Sequence, residues 1–515
     1  MKALSILLLF TTLFFITSCE DALKEKVYSY DSPSNFYDDA EAAIAAVNAC
    51  YKTLDGYTIG YWGPIMTEIA SDYTDGTDKY LLSMARGTYD ASSDPVRWAW
   101  IGWYTSIHNC NAVLERIEPI EMDEELKKRV KGEAHFIRAY NYLMLVRLYG
   151  DIPLRSNTVK TSEGAHNERT PIKQVYDLII EDLKYAEQNL WEKDMYANRD
   201  QGRATIEAAK SLLAIAYMTM AGQPVNDQSK WELARNKALE VINGRGGYPL
   251  PDSELAKNYG ELYKPTLESK SHPEHIFSVN HIRQSDLGTP ISTQFAVSSH
   301  YSGASWEGGY RYSEDFYNSF EQNDLRARYG FHHVFYDSDE NLKFWPDTTD
   351  AGIIPQWGEA PPEGATLADI LPAITKFDDP EAPTKKTAGV AIPVIRLAEV
   401  LLIHSEAENE LNGPTSEAFK GINTVRARAG LPPAEDVMDN SSSKEAFRDF
   451  ILEERAKELF GENKRRFDLI RTGRFQQKMQ AAGKAYEEKY ILFPIPLEEM
   501  NGNKKINQED QNPGY

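Results

Sequence analysis

A chain of 515 residues, 42 % hydrophobic and 26 % charged, has the length of about three ordinary domains and enough apolar residues for a large core. Its formal net charge is −22, from 78 acidic against 56 basic residues. That balance argues against a nucleic-acid backbone as partner and against electrostatic adsorption to an anionic lipid surface.

The chain opens with Lys2 and an apolar run from Leu4 to Ile16, too short for a bilayer span of about 20 residues. Small residues follow in Thr17-Ser18, then Cys19 and the acidic pair Glu20-Asp21. This pattern predicts a secretory signal over 1–18, with Cys19 at the cut as the lipidated first residue of the mature chain. Residues 19–34 read as a tether.

From 35 to about 270 helical periodicity dominates. Ile44, Val47, Tyr51 and Leu54 share one face, as do Trp103, Ile107, Cys110 and Leu114. Gly132 to Leu148 is apolar nearly all round, which predicts a buried helix ending at Gly150-Asp151-Ile152-Pro153. Val175–Leu190, Ala204–Ala221 and Trp231–Ile242 continue the series, joined by short Gly/Pro turns. The expected fold is all-α, with stacked helical hairpins of tetratricopeptide-like (TPR-like) type but no strict 34-residue period. Cys50 and Cys110 lie among apolar residues and read as buried free thiols, a disulfide being the lesser alternative.

Between 271 and 390 periodicity fades and Gly, Pro, Ser, Asp and aromatics take over, too aromatic for disorder. This is a long loop-rich insert. Helices return over 391–515, at Ala398–Asn412, Ser416–Ala429, Lys444–Phe460 and Arg465–Thr472. Glu454, Arg455, Glu458, Arg466 and Asp468 have helical spacings suited to ion pairs. His404 and Glu408 at i, i+4 have no third ligand and read as a surface pair, so no metal site is expected. Without CxxC or a Cys/His cluster there is no case for zinc, and Gly244-Arg245-Gly246-Gly247 lacks the residues of a phosphate loop.

Six segments, in order, carry a resemblance. They are Trp103-Tyr104 with the Gly132-to-Leu154 stretch; Gly202-Arg203-Ala204 through Leu213-Ala214; and Arg396 to Leu402 with Glu406-Ala407 and Asn409-Glu410. Next come Asn423 to Leu431, then Glu454-Arg455 to Arg471, and last Phe493-Pro494-Ile495-Pro496 with the closing Gln511 to Tyr515. Together they resemble the SusD/RagB family of outer-membrane nutrient-binding lipoproteins of the Bacteroidetes. The resemblance implies a non-catalytic, lipid-anchored, surface-exposed protein that binds an oligosaccharide or polysaccharide. It also implies a partner, a SusC-like TonB-dependent transporter whose barrel this protein caps as a lid. A peptide ligand, as in the RagB branch, is the alternative within the family. A glycoside hydrolase, needing two carboxylates about 5–9.5 Å apart, and a ligand-free helical scaffold are the alternatives outside the binding reading.

The resemblance further implies a shallow glycan site on the loops. Sugar CH faces stack on Trp and Tyr, and hydroxyls need orienting polar groups. Two clusters offer this chemistry. One is Tyr73, Tyr80, Arg86 and Tyr89 with Trp98 and Trp100; the other is Tyr301, Trp306, Tyr310, Tyr312, Trp345 and Trp357, with Asp286, Glu307 and Arg311 as polar candidates. Trp306, flanked by small residues and glycines, is the preferred platform. The competing reading is that these rings give the insert its own core. No cofactor is called for; a structural calcium in the insert, and the identity of the glycan, stay open.

Overall fold

The computed structural model describes residues 36–55, 58–76, 79–197, 200–285, 287–295, 309–336, 341–345, 363–367, 371–384, 386–440 and 442–515. The expected signal, tether and Cys19 lie outside them.

Helix α1 (Ala40–Leu54) starts where the Asp39 carboxylate accepts the Ala42 amide at 2.8 Å, supplying an acceptor for one of the first-turn donors. A short helix α2 (Lys79–Arg86) follows, then α3 (Asp94–Arg116) and the long α4 (Glu124–Tyr149). Asp123 caps α4, and Gly150 ends it at φ +73, a backbone conformation that side chains resist. As its all-round apolarity predicts, α4 buries residues on every side. Next are α5 (Ile172–Asn189), α6 (Ile206–Ala221) and α7 (Lys230–Gly244). The C-terminal helices are α8 (Leu397–Asn412), α9 (Ser416–Arg428), α10 (Lys444–Leu459) and α11 (Arg465–Arg471).

Packing runs α1–α3–α4–α5–α6–α7, and α7 then packs on α8, which carries α9 and α10. The fold is all-α and TPR-like, one continuous stack interrupted in sequence but not in space. Among the described residues strands are few and short. β1 (Thr74–Gly76) pairs with β3 (Tyr310–Tyr312), and β2 (His275–Asn280) pairs with β4 (Ala391–Arg396), both antiparallel. The β2–β4 ribbon draws the two ends of the insert together, which lets α8 continue the stack.

Cys50 and Cys110 are both free and fully buried. His404 and Glu408 are not a surface pair. His404 is 0 % exposed because α8 is covered by both α7 and α9; its Nδ1 lies 3.3 Å from the Tyr248 hydroxyl, while Glu408 faces Arg235 at 3.5 Å. Burial holds the His404 imidazole below its usual pKa.

The C-terminal charges do pair, mostly between elements, with Asp468–Arg471 along α11 the i,i+3 exception. Arg396, fully buried, reaches Glu274 at 2.5 Å, Glu458 at 2.9 Å and Glu462 at 2.8 Å. Lys376 joins Glu462 at 2.6 Å, and Arg428 binds Glu458 and Glu274. Beside this set, Glu454 is held by Arg326 at 2.6 Å and Arg426 at 2.9 Å. Asp468 bridges Arg455 at 2.8 Å and Arg471 at 2.9 Å. Arg466 instead donates to backbone carbonyls of Ala70, Tyr490 and Ile491.

Two outcomes follow from this network. Arg396→Met should destabilise the fold by about 3–5 kcal/mol, because three carboxylates lose their common partner in a dry interior. Lys128→Ala, which removes an exposed pair with Glu125, should leave the urea midpoint unchanged. The second outcome concerns acid. Burial alone would raise Asp468, but Arg455 and Arg471 outweigh it and hold the carboxyl at about 2, against about 3.9 in an unfolded chain. Its stabilisation is complete above about pH 4 and disappears as pH falls through about 2. Urea titrations of Asp468→Asn should therefore show a deficit that is constant from pH 7 to about pH 4 and narrows as pH falls toward 2.

Candidate glycan-binding rim

The β1–β3 pairing sets the segment that leads from Tyr73 into α2 beside Tyr310 and Tyr312. Gly76, the last residue of β1, lies opposite Tyr310, the first of β3. Three residues beyond Gly76 the chain enters α2, which carries Tyr80 and Arg86. Asp286, Tyr301, Trp306, Glu307 and Trp357 lie outside the described residues.

The rim is anchored from the C-terminal helices. Arg465 of α11 binds the Asp72 carboxylate at 2.9 and 2.7 Å and lies over the Tyr73 ring at 4.2 Å. Tyr73 stacks on Phe316 at 4.2 Å and donates its hydroxyl to Glu453. Burial would raise Glu453, but Arg465, Lys478 and that hydroxyl bring it down to about 2. Lys484 donates to the carbonyls of Ser71 and Thr74. Glu68 sits in a single π-helical turn, Ile65–Ile69, a feature often found near functional sites. It is 2 % exposed, yet it accepts the Tyr312 hydroxyl at 2.7 Å and the Gly461 and Asn463 amides at 2.8 and 3.1 Å. Burial leaves its pKa raised despite these donors.

The predicted residues divide sharply. Tyr310 and Tyr312 are 1 % exposed, Tyr89 and Trp345 4 %. Tyr310 packs on Phe295 at 4.5 Å, Trp345 meets Tyr317 edge-on at 4.5 Å, and Tyr89 lies against Phe493 at 4.8 Å. These four rings offer no face to a ligand: Tyr310, Tyr312 and Trp345 belong to the core of the insert, and Tyr89 to the core formed with the C-terminal Tyr490 and Phe493. Trp100, against Tyr104 and Tyr149, is core as well, and Arg311 is buried with its guanidinium on the Tyr310 carbonyl. Tyr80 and Trp98 remain partly exposed and Arg86 exposed. Trp98 has Arg97 over its ring at 4.6 Å, and Arg97 pairs with Glu498 at 3.0 Å. Glu68, Asp72 and Arg465, which fix the rim, escaped the sequence reading because nothing local distinguishes them from other charged residues.

Known proteins share this architecture. The family model described as "SusD family" matches residues 273–515, and the one described as "Starch-binding associating with outer membrane" matches 23–218. The chain belongs to the SusD/RagB family. A SusD-like protein of Formosa agariphila is 27 % identical over the whole of both chains. A crystal structure of a SusD homolog from Bacteroides thetaiotaomicron superposes with a TM-score of 0.78 at 23 % identity, covering 94 % of this chain and 98 % of that one. A laminarin-binding SusD-like protein gives 0.72 at 24 %, over 93 % and 100 %. At these identities the solved structures establish the fold. Membership makes this SusD-family chain a binding protein and not a catalyst.

The rim's anchor is testable apart from any ligand. Tyr312→Phe withdraws one donor from buried Glu68 and should cost about 1–3 kcal/mol in urea denaturation. Tyr80→Ala, at a partly exposed position, should change stability by no more than about 0.5 kcal/mol. Equal effects would mean that Glu68 does not hold the rim.

Proposed function

We propose that the chain binds an oligosaccharide or polysaccharide on the rim above the β1–β3 ribbon and delivers it to a TonB-dependent outer-membrane transporter. The observation that carries this reading is the Gly76–Tyr310 pairing, which sets the start of α2 beside β3. Tyr80, Arg86 and Trp98 are the candidate contacts among the described residues, and Tyr301, Trp306 and Trp357 are candidates from the sequence alone. Rings stack on sugar faces while Arg86 orients hydroxyls. Support comes also from the starch-binding description of one matching family model and from the laminarin-binding structural relative. The mature chain is held at the outer membrane by acyl groups on Cys19, which fixes its position and leaves the body free to hinge as a lid.

Affinity electrophoresis against laminarin, starch and other polysaccharides tests the ligand class, with released reducing ends assayed alongside. At least one polysaccharide should retard the protein without turnover. Trp306→Ala and Trp98→Ala should each weaken retardation about tenfold at unchanged melting temperature. Retardation equal to wild type in both variants would move the site elsewhere. Cys19→Ala should abolish nutrient uptake by cells while the purified protein keeps its affinity; uptake surviving in that variant would refute the anchored lid.

A further inference from the structure

After α11 the chain runs back to the base of the rim. The helix Phe475–Ala481 ends at Gly483, φ +71, whose amide donates to the Gln480 carbonyl. The Lys484 amide donates to the Met479 carbonyl, and both bonds are 3.0 Å. This pattern of helix ending turns Lys484 off the helix. Its amine takes two carbonyls, that of Ser71 at 2.5 Å and that of Thr74. The Thr74 carbonyl is available because the Ser313 amide bonds the Tyr73 carbonyl at 2.8 Å, so the next one along β1 points away from β3. Among the described residues no carboxylate pairs with the amine: Asp72 is taken by Arg465, and Asp75 accepts the Gly76 amide at 2.8 Å. Burial accordingly draws the amine down to about 8, against the pull of Asp75 and Asp72.

Two residues on, Tyr486 is 1 % exposed, with its ring against Phe475 at 5.5 Å and Tyr490 at 4.9 Å. Its hydroxyl donates to the Met84 carbonyl, in the last turn of α2, where a helix has no acceptance of its own to offer its carbonyls. The join between β1 and α2 is close as well, since an added Cβ at Gly76 would collide with Leu81. So α2 is held at its start through β1 and Lys484, and at its end by Tyr486. It carries partly exposed Tyr80 and exposed Arg86. We propose, on the glycan reading of the rim, that Lys484 and Tyr486 are its positioning residues. Neither touches the ligand; together they set the place and tilt of α2.

Lys484→Met keeps most of the side-chain length and removes its donors, and Tyr486→Phe removes one hydroxyl. In gels containing laminarin or starch, each should weaken retardation by about fivefold or more, through lost preorganisation. Hydrogen exchange followed by mass spectrometry should quicken about tenfold over 79–86 and stay unchanged over α4. Lys484→Cys should behave as Lys484→Met does. Alkylating it with 2-bromoethylamine rebuilds an amine at lysine length and should restore both affinity and slow exchange, whereas iodoethane should restore neither. The wild type alkylated in parallel is the control, its Cys50 and Cys110 being fully buried. Tyr486→Phe decides the matter should Lys484→Met not fold. Wild-type exchange over 79–86 in the variants would overturn the positioning role, as would wild-type retardation alongside quickened exchange. If no polysaccharide retards the wild type while exchange responds as expected, the glycan reading falls and the hold on α2 is upheld.

Discussion

Arg396 is the point on which the two halves of the molecule meet. It ends β4, one residue before α8 begins, and its guanidinium gathers carboxylates from the start of β2 and from the end of α10 and the turn after it. A side-chain charge at 0 % exposure survives only if every donor finds an acceptor, because desolvation otherwise exceeds the Coulombic gain. The geometry of Glu274, Glu458 and Glu462 is therefore not optional. Once they are in place, β2 lies beside β4, the insert is closed at its base, and α8 has a fixed starting direction. Replacement of the whole set by packed apolar residues could give equal stability. What the charges add is directional register between segments far apart in sequence.

The same logic recurs toward the rim in a smaller form. Glu68 and Asp72 belong to the N-terminal half, and their partners at Gly461, Asn463 and Arg465 belong to the C-terminal half. The β1–β3 ribbon is only three residues long and would be marginal alone. Carboxylates satisfied by backbone amides and a guanidinium hold its base.

The helices were legible because burial leaves a periodic trace: Ile44, Val47, Tyr51 and Leu54 mark α1, and the unbroken apolar surface of Gly132–Leu148 marks α4 as central. The family motifs were legible for a related reason, since Arg396, Glu454, Arg455 and Asp468 are the buried charges themselves. Side-chain partners were not. His404 and Glu408 looked like a surface pair because α7 and α9, which cover them, are invisible in the local pattern. Tyr310, Tyr312, Trp345 and Tyr89 have the composition of a sugar platform, yet a ring in a core and a ring on a lip are the same residue. Only the strand pairing, which joins positions more than 230 residues apart, separates them.

The junction between α7 and α8 has a consequence for how the chain is made. α7 ends at Gly244 and its partner begins at Leu397, so the apolar face of α7 emerges long before anything can cover it. Closing a loop of that length costs about 4 kcal/mol in chain entropy beyond a constant term, and no contact offsets it until the ribbon forms. Assembly of the N-terminal hairpins can be local and fast, whereas completion of the stack waits on a distant segment. During that interval the molecule carries a sticky end. A chain of this design depends on being kept unaggregated until its last quarter arrives.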